Sequence, residues 1–222
     1  GTPSTVDNSL LGGSGAYSQA QDSISATINR IDYVGTSADD VFAGSIGIAG
    51  QAVDDVIIGN GGADVVSAGD GHDRIVLNAE NILKLDFAQA SVALVDGDAG
   101  INTIEFAGSG ITLDLAHVVS DQNPDQNTVS NISVFDITGN GNNTLELGMP
   151  ELKALMTHAQ ILADNPATAD VDERDLLVVK GNAGDAVRLT DVFSDWTATT
   201  QLSGATLAAA FGAAYGFESG HT

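Results

Sequence analysis

The chain contains no cysteine, which excludes disulfide stapling and thiolate metal sites alike. Basic residues are scarce, seven Lys and Arg against thirty Asp and Glu, for a net charge of -23. Nucleic acid and anionic membrane surfaces both reward Lys and Arg, so neither is an expected partner. No run of eighteen apolar residues occurs, so no segment is expected to cross or insert into a membrane as a helix. The opening residues Gly1-Thr2-Pro3-Ser4 lack the basic-then-apolar pattern of a cleavable signal. A fragment of something longer is the expectation.

Acid and glycine are what the chain has in plenty. Its 222 residues suffice for one large or two small domains with a buried core. Hard divalent cations prefer carboxylate and carbonyl oxygens, and are the natural partners of such a composition. A merely solubilising acidic surface is the alternative, and the positions of the acids decide between them.

Those positions are periodic. Asp55, Asp64 and Asp73 recur every nine residues, each followed by a short β-prone triplet: Val56-Ile57-Ile58, Val65-Val66-Ser67 and Arg74-Ile75-Val76. Each is preceded by a turn, of which Gly59-Asn60-Gly61-Gly62-Ala63 and Ala68-Gly69-Asp70-Gly71-His72 are the richest in glycine. An earlier copy, Gly35 to Ala43, places Asp40 in the same position. This series resembles the Gly-Gly-x-Gly-x-Asp-x-apolar-x repeat of RTX (repeats-in-toxin) proteins. Glycines permit the positive-φ backbone that aims successive carbonyls at one point, and the Asp supplies a hard anionic oxygen. The resemblance implies a parallel β-roll with calcium between stacked turns. Phe42, Ile57, Val66 and Ile75 then point inward as an apolar spine. The expected Ca2+ ligands in this region are Asp40, Asp55, Gly59, Gly61, Asp64, Asp70 and Asp73.

Beyond about Leu83 the nine-residue period stops and longer strands are expected. They are 91–95, 103–106, 111–115, 132–137, 144–147, 176–179 and 186–189. Three similar turns, 96–102, 138–143 and 180–185, separate some of them, with Gly97, Gly139 and Gly181 evenly spaced. Two helices are predicted on apolar stripes, at Pro150 to Ala163 and Ser203 to Tyr215. In the turn 96–102, Asp96, Asp98 and Asn102 occupy the first, third and seventh positions, a spacing that lets alternating oxygens meet one calcium. The same three residues are the candidate ligand-binding site, if that ion keeps a position open for an anionic group such as a peptide carboxylate.

With its elements Asp96-Gly97-Asp98-Ala99-Gly100, Asn131 to Gly139 and Val179 to Asp185, the run from Leu94 to Trp196 resembles the distal region of very large bacterial RTX adhesins. The resemblance implies type I secretion, an extracellular or cell-surface location and a role in cell attachment or biofilm formation. It also implies a peptide or glycan ligand on a target cell. The expected organisation is mainly β: a linker or leading strand over 1–34, an RTX-like calcium-binding β-roll over 35–77, and a larger β-rich, sandwich-like domain with two packed helices over 78–222. Such a module is expected to be monomeric within a much longer chain. Its alternative is a calcium-folded spacer that assists secretion and has no ligand of its own.

Catalysis is not expected. His72, His117, His158 and His221 stand apart, with no His-Glu-x-x-His pattern, no Gly-x-Ser-x-Gly elbow and no phosphate-binding Gly-x-x-x-x-Gly-Lys loop. Acid pairs of glycosidase type are conceivable among so many carboxylates, but most of these lie in turns of calcium-loop type.

Overall fold

The computed structural model describes residues 32–45, 52–89, 92–120, 123–156 and 177–190. The expected helix at 203–215, the second half of the one at 150–163 and most of the linker or leading strand at 1–34 lie outside these residues. Within them the chain is mainly β, and every strand pairing is parallel.

The winding follows directly from the nine-residue period. Strands β1 (Asp32–Val34), β3 (Val56–Ile58) and β5 (Arg74–Leu77) lie side by side in a first sheet. Between them, β2 (Val41–Ser45) and β4 (Val65–Gly69) lie in a second. Each nonapeptide thus supplies one strand, and the next nonapeptide supplies its strand to the other sheet. Two of them make a full coil, so Val56 pairs with Arg74, eighteen residues on.

So short a coil demands tight corners. Asn60, Gly61 and Gly62 all have positive φ, at 67°, 113° and 87°, a run that only Gly and Asn adopt cheaply. At Gly62 a Cβ would also lie 2.3 Å from the Ala38 carbonyl oxygen of the preceding coil. The glycines therefore set how closely the coils stack.

Later coils are longer but keep the first sheet going. β7 (Thr103–Phe106), β10 (Val134–Asp136) and β12 (Val178–Lys180) extend it beyond β5, so it crosses residue 78 without a break. β6 (Leu94–Asp96) and β9 (Val129–Ser130) extend the second sheet. A third sheet joins β8 (Thr112–Asp114), β11 (Thr144–Leu147) and β13 (Ala186–Leu189). The extra length goes into excursions, including helices α1 (Ala79–Leu85) and α2 (Met149–Met156). Helix α1 was not expected. It is held by an Asn78 cap that accepts from the Glu80 and Asn81 amides, and by burial of Ile82 and Leu85.

In most of these short strands the second residue points inward, and parallel register stacks such residues in rows. Tyr33, Ile57, Ile75, Ile104, Phe135 and Val179 form one row, and Phe42, Val66, Val95 and Val129 another. Ile57, Val66, Ile75, Ile104 and Phe135 are wholly buried, each worth about 1.5–3 kcal/mol of hydrophobic burial. The expected spine of Phe42, Ile57, Val66 and Ile75 is thus divided between two rows, one on each sheet. On the outer faces three of the few cations bridge neighbouring coils: Arg74 to Glu105, Lys180 to Asp136 and Arg188 to Glu146.

Candidate functional site

The nine-residue Asp series lines the two corners of the winding. Asp55 and Asp73 stand one above the other where the chain enters the first sheet, and Asp40 and Asp64 do so where it enters the second. All but Asp40 are buried, with Asp55 and Asp73 each 1% exposed. Burial of ionisable carboxylates is costly unless their oxygens find donors or a cation.

One oxygen of each upper residue has a donor. The Asp55 amide N–H donates to Asp73 Oδ1 at 2.8 Å, and the Asp40 N–H to Asp64 Oδ1 at 3.0 Å. The row continues with Asn: the Asp73 N–H donates to Asn102 Oδ1 at 2.9 Å. At the entry to the third sheet, Ile111 N–H donates to Asn143 Oδ1 and Asn143 N–H to Asp185 Oδ1, both at 2.9 Å. An Asx side chain at the corner thereby ties its coil to the one before.

The second oxygens differ. Asp64 Oδ2 accepts from Asn81 Nδ2 of helix α1 at 2.9 Å. Asp73 Oδ2 is buried and has no hydrogen-bond partner. Burial pushes the Asp73 carboxyl up to about 7, outweighing the Asp55 N–H bond, and the charges of Asp55, Asp54 and Asp98 push the same way. Asp64 is raised too, by burial first and then by Asp40 and Asp39, against the bonds from the Asp40 N–H and Asn81. A buried, unpartnered acceptor among other carboxylates is the oxygen whose charge a cation would offset most.

The other expected ligands have these positions. Gly59 and Gly61 lie buried in the Asp64 corner, where Gly61 N–H donates to Asn81 Oδ1. Asp70 is exposed, and its backbone bridges to Ala99 of the next coil. Asp96, Asp98 and Asn102 share one turn but face different ways. Asp96 Oδ1 accepts from Asp98 N–H and Asn131 Nδ2, while exposed Asp98 accepts from Ser67 Oγ and Gly69 N–H. Asn102 is fully buried, and its Nδ2 donates to the Gly97 and Asn131 carbonyls. Among the described residues no three His, Asp or Glu side chains gather in a group that could hold a metal ion. A cation at Asp73 would therefore draw on turn carbonyls as well as on the Asp55 and Asp73 carboxylates.

Asn81, Asn143 and Asp185 were not among the expected site residues. The likeness of the turns 138–143 and 180–185 was the available signal for the last two. Their common spacing reflects register, because Thr144 pairs with Ala186. Gly97 has the same spacing but not that register, since it follows a strand of the second sheet rather than the first. Of the histidines, His72 Nδ1 accepts from the Ile101 N–H at 3.0 Å, and His117 Nδ1 lies 3.2 Å from Asp86 Oδ2. His158 and His221 lie outside the described residues.

Comparison with protein-family models, with curated proteins and with solved structures finds no match.

Proposed function

We propose that this chain is a calcium-folded module of a secreted bacterial adhesin of RTX type, a binding module rather than an enzyme. Its corners at 35–77 are those of an RTX β-roll, with Ca2+ held between stacked turns. The observation that carries the cation is the buried, unpartnered Asp73 Oδ2 beside Asp55 and Asp54. The eighteen-residue coil, built from two nonapeptides on opposite sheets, supports the roll.

In this proposal the coils are a rigid scaffold outside the cell, and the loops leaving it recognise a peptide or glycan on a target surface. Exposed Asp98, at φ 55° in the turn above Asp73, is the carboxylate of the candidate ligand site most open to a partner. The spacer alternative draws support from the unbroken first sheet, which makes one continuous stack of the described coils.

Immobilised chain screened against arrays of glycans and free-C-terminal peptides distinguishes the two. The adhesin proposal expects capture in calcium that disappears in chelator. A chain whose fold responds to calcium but which captures nothing on either array is a spacer.

A further inference from the structure

Three asparagines in the corners do something the aspartates cannot. Asn81, Asn102 and Asn143 are 3%, 0% and 0% exposed, and each amide is used at both ends. The oxygen accepts a backbone N–H from a corner residue: Gly61 for Asn81, Asp73 for Asn102 and Ile111 for Asn143. The NH2 group joins two corner oxygens, one of which, Gly108 O, also accepts from the Asn140 N–H. Asn102 Nδ2 reaches Gly97 O at 2.6 Å and Asn131 O at 3.2 Å, one in its own turn and one in the next coil. Asn143 Nδ2 likewise joins Ile137 O at 2.9 Å to Gly108 O at 3.2 Å. Asn81 Nδ2 joins Asp64 Oδ2 at 2.9 Å to Gly62 O at 3.3 Å.

Bridging turn oxygens of stacked coils is the task given to calcium in the proposed roll. An amide NH2 presents two N–H dipoles to two acceptors with no net charge, whereas an ionised carboxylate in the same place only accepts. We infer that Asn81, Asn102 and Asn143 are built-in substitutes for cations. They confine the calcium requirement to the stack around Asp55 and Asp73 and let the coils from residue 103 onward hold without metal. The inference rests on the proposed calcium binding for its first part and on the amide geometry for its second.

Asn81 is the decisive position. Helix α1 inserts it directly above Asp64, where it ends any row of cations on that corner. Asn81→Asp keeps an oxygen for the Gly61 N–H but sets a second carboxylate against Asp64 Oδ2 and Gly62 O. Two carboxylates and a carbonyl are a ligand set suited to calcium. Calorimetric calcium counts on the wild-type chain and on Asn81→Asp are therefore expected to differ by one added ion, with the variant losing thermal stability in chelator and regaining it in calcium.

The outcomes separate the two claims. A wild type that binds calcium and a variant that binds no more overturns the substitution and leaves the calcium proposal standing. A wild type that binds none while the variant binds one does the reverse. No binding by either overturns both. Should Asn81→Asp not fold even in calcium, hydrogen exchange on the wild-type chain decides. Amides of 103–147 that stay protected in chelator while those of 55–76 lose protection support the inference, and any other pattern overturns it.

Discussion

Asp73 has one carboxylate oxygen on the Asp55 N–H and the other buried without a donor, so its charge is the costliest in the described corners. Its folded pKa of about 7 lies above the ordinary value of 3.8. Between these values the folded chain holds a proton that the unfolded chain has released. Stability without metal must therefore fall as pH rises from about 4 through about 7. Asp64, also raised, adds to the same trend. Asp136 acts oppositely: burial raises it, but the Lys180 ammonium at 2.6 Å and the Thr138 bonds win and lower it. Its contribution is lost only below the ordinary carboxylate range. In chelator, then, the melting temperature should be higher at pH 5 than at pH 8. Asp73→Asn should flatten that slope and raise stability at pH 8 by about 1–3 kcal/mol, by removing a buried unpaired charge. The same variant should lose stabilisation by calcium. Melts of both chains across pH check this, and a steeper slope in Asp73→Asn would count against the assignment.

At the scale of elements, the strands are two to five residues long and draw their stability from rows rather than from their own length. Ile75 lies between Ile57 and Ile104 in the longest row and is wholly buried. Ile75→Ala should cost about 2–5 kcal/mol through lost burial and the cavity left behind. Val92→Ala, at a residue 79% exposed, should stay within about 0.5 kcal/mol. Denaturant unfolding of the two variants measures the contrast. The elements also show what could be read in advance. Thr103–Phe106, Thr144–Leu147 and Ala186–Leu189 form strands with the bounds expected from their β-prone residues between turns. Val129–Ser130 was missed because two residues carry no period, and its pairing with β6 is decided by the coil it closes. Helix α1 was missed for a related reason. Seven residues are too few for propensity to speak, and its cap at Asn78 reads as one more polar turn residue. Of the site, the stacking of Asp55 on Asp73 follows from the nine-residue spacing once a coil takes two repeats. That Asn81 would occupy the second oxygen of Asp64 depends on how α1 folds back, which no spacing encodes.

For the whole molecule, the net charge of -23 is a standing penalty on compactness that bound cations would relieve most where the acids are closest. Apolar rows and Asx bonds hold the described coils together, but at the Asp55–Asp73 corner they leave a buried oxygen without a hydrogen-bond partner. An ion that binds only the folded chain stabilises it by mass action, about 2.7 kcal/mol per site at a hundredfold excess over its Kd. For a chain of this size that is a rise of roughly 5–10 °C per site. Magnesium should substitute poorly, since it demands a tighter octahedral shell and holds its water. The direct measurement is thermal unfolding of the intact chain at neutral pH in excess chelator, in calcium and in magnesium. A melting temperature raised by calcium to that extent and hardly moved by magnesium is the predicted result; a curve that is the same in chelator and in calcium contradicts it.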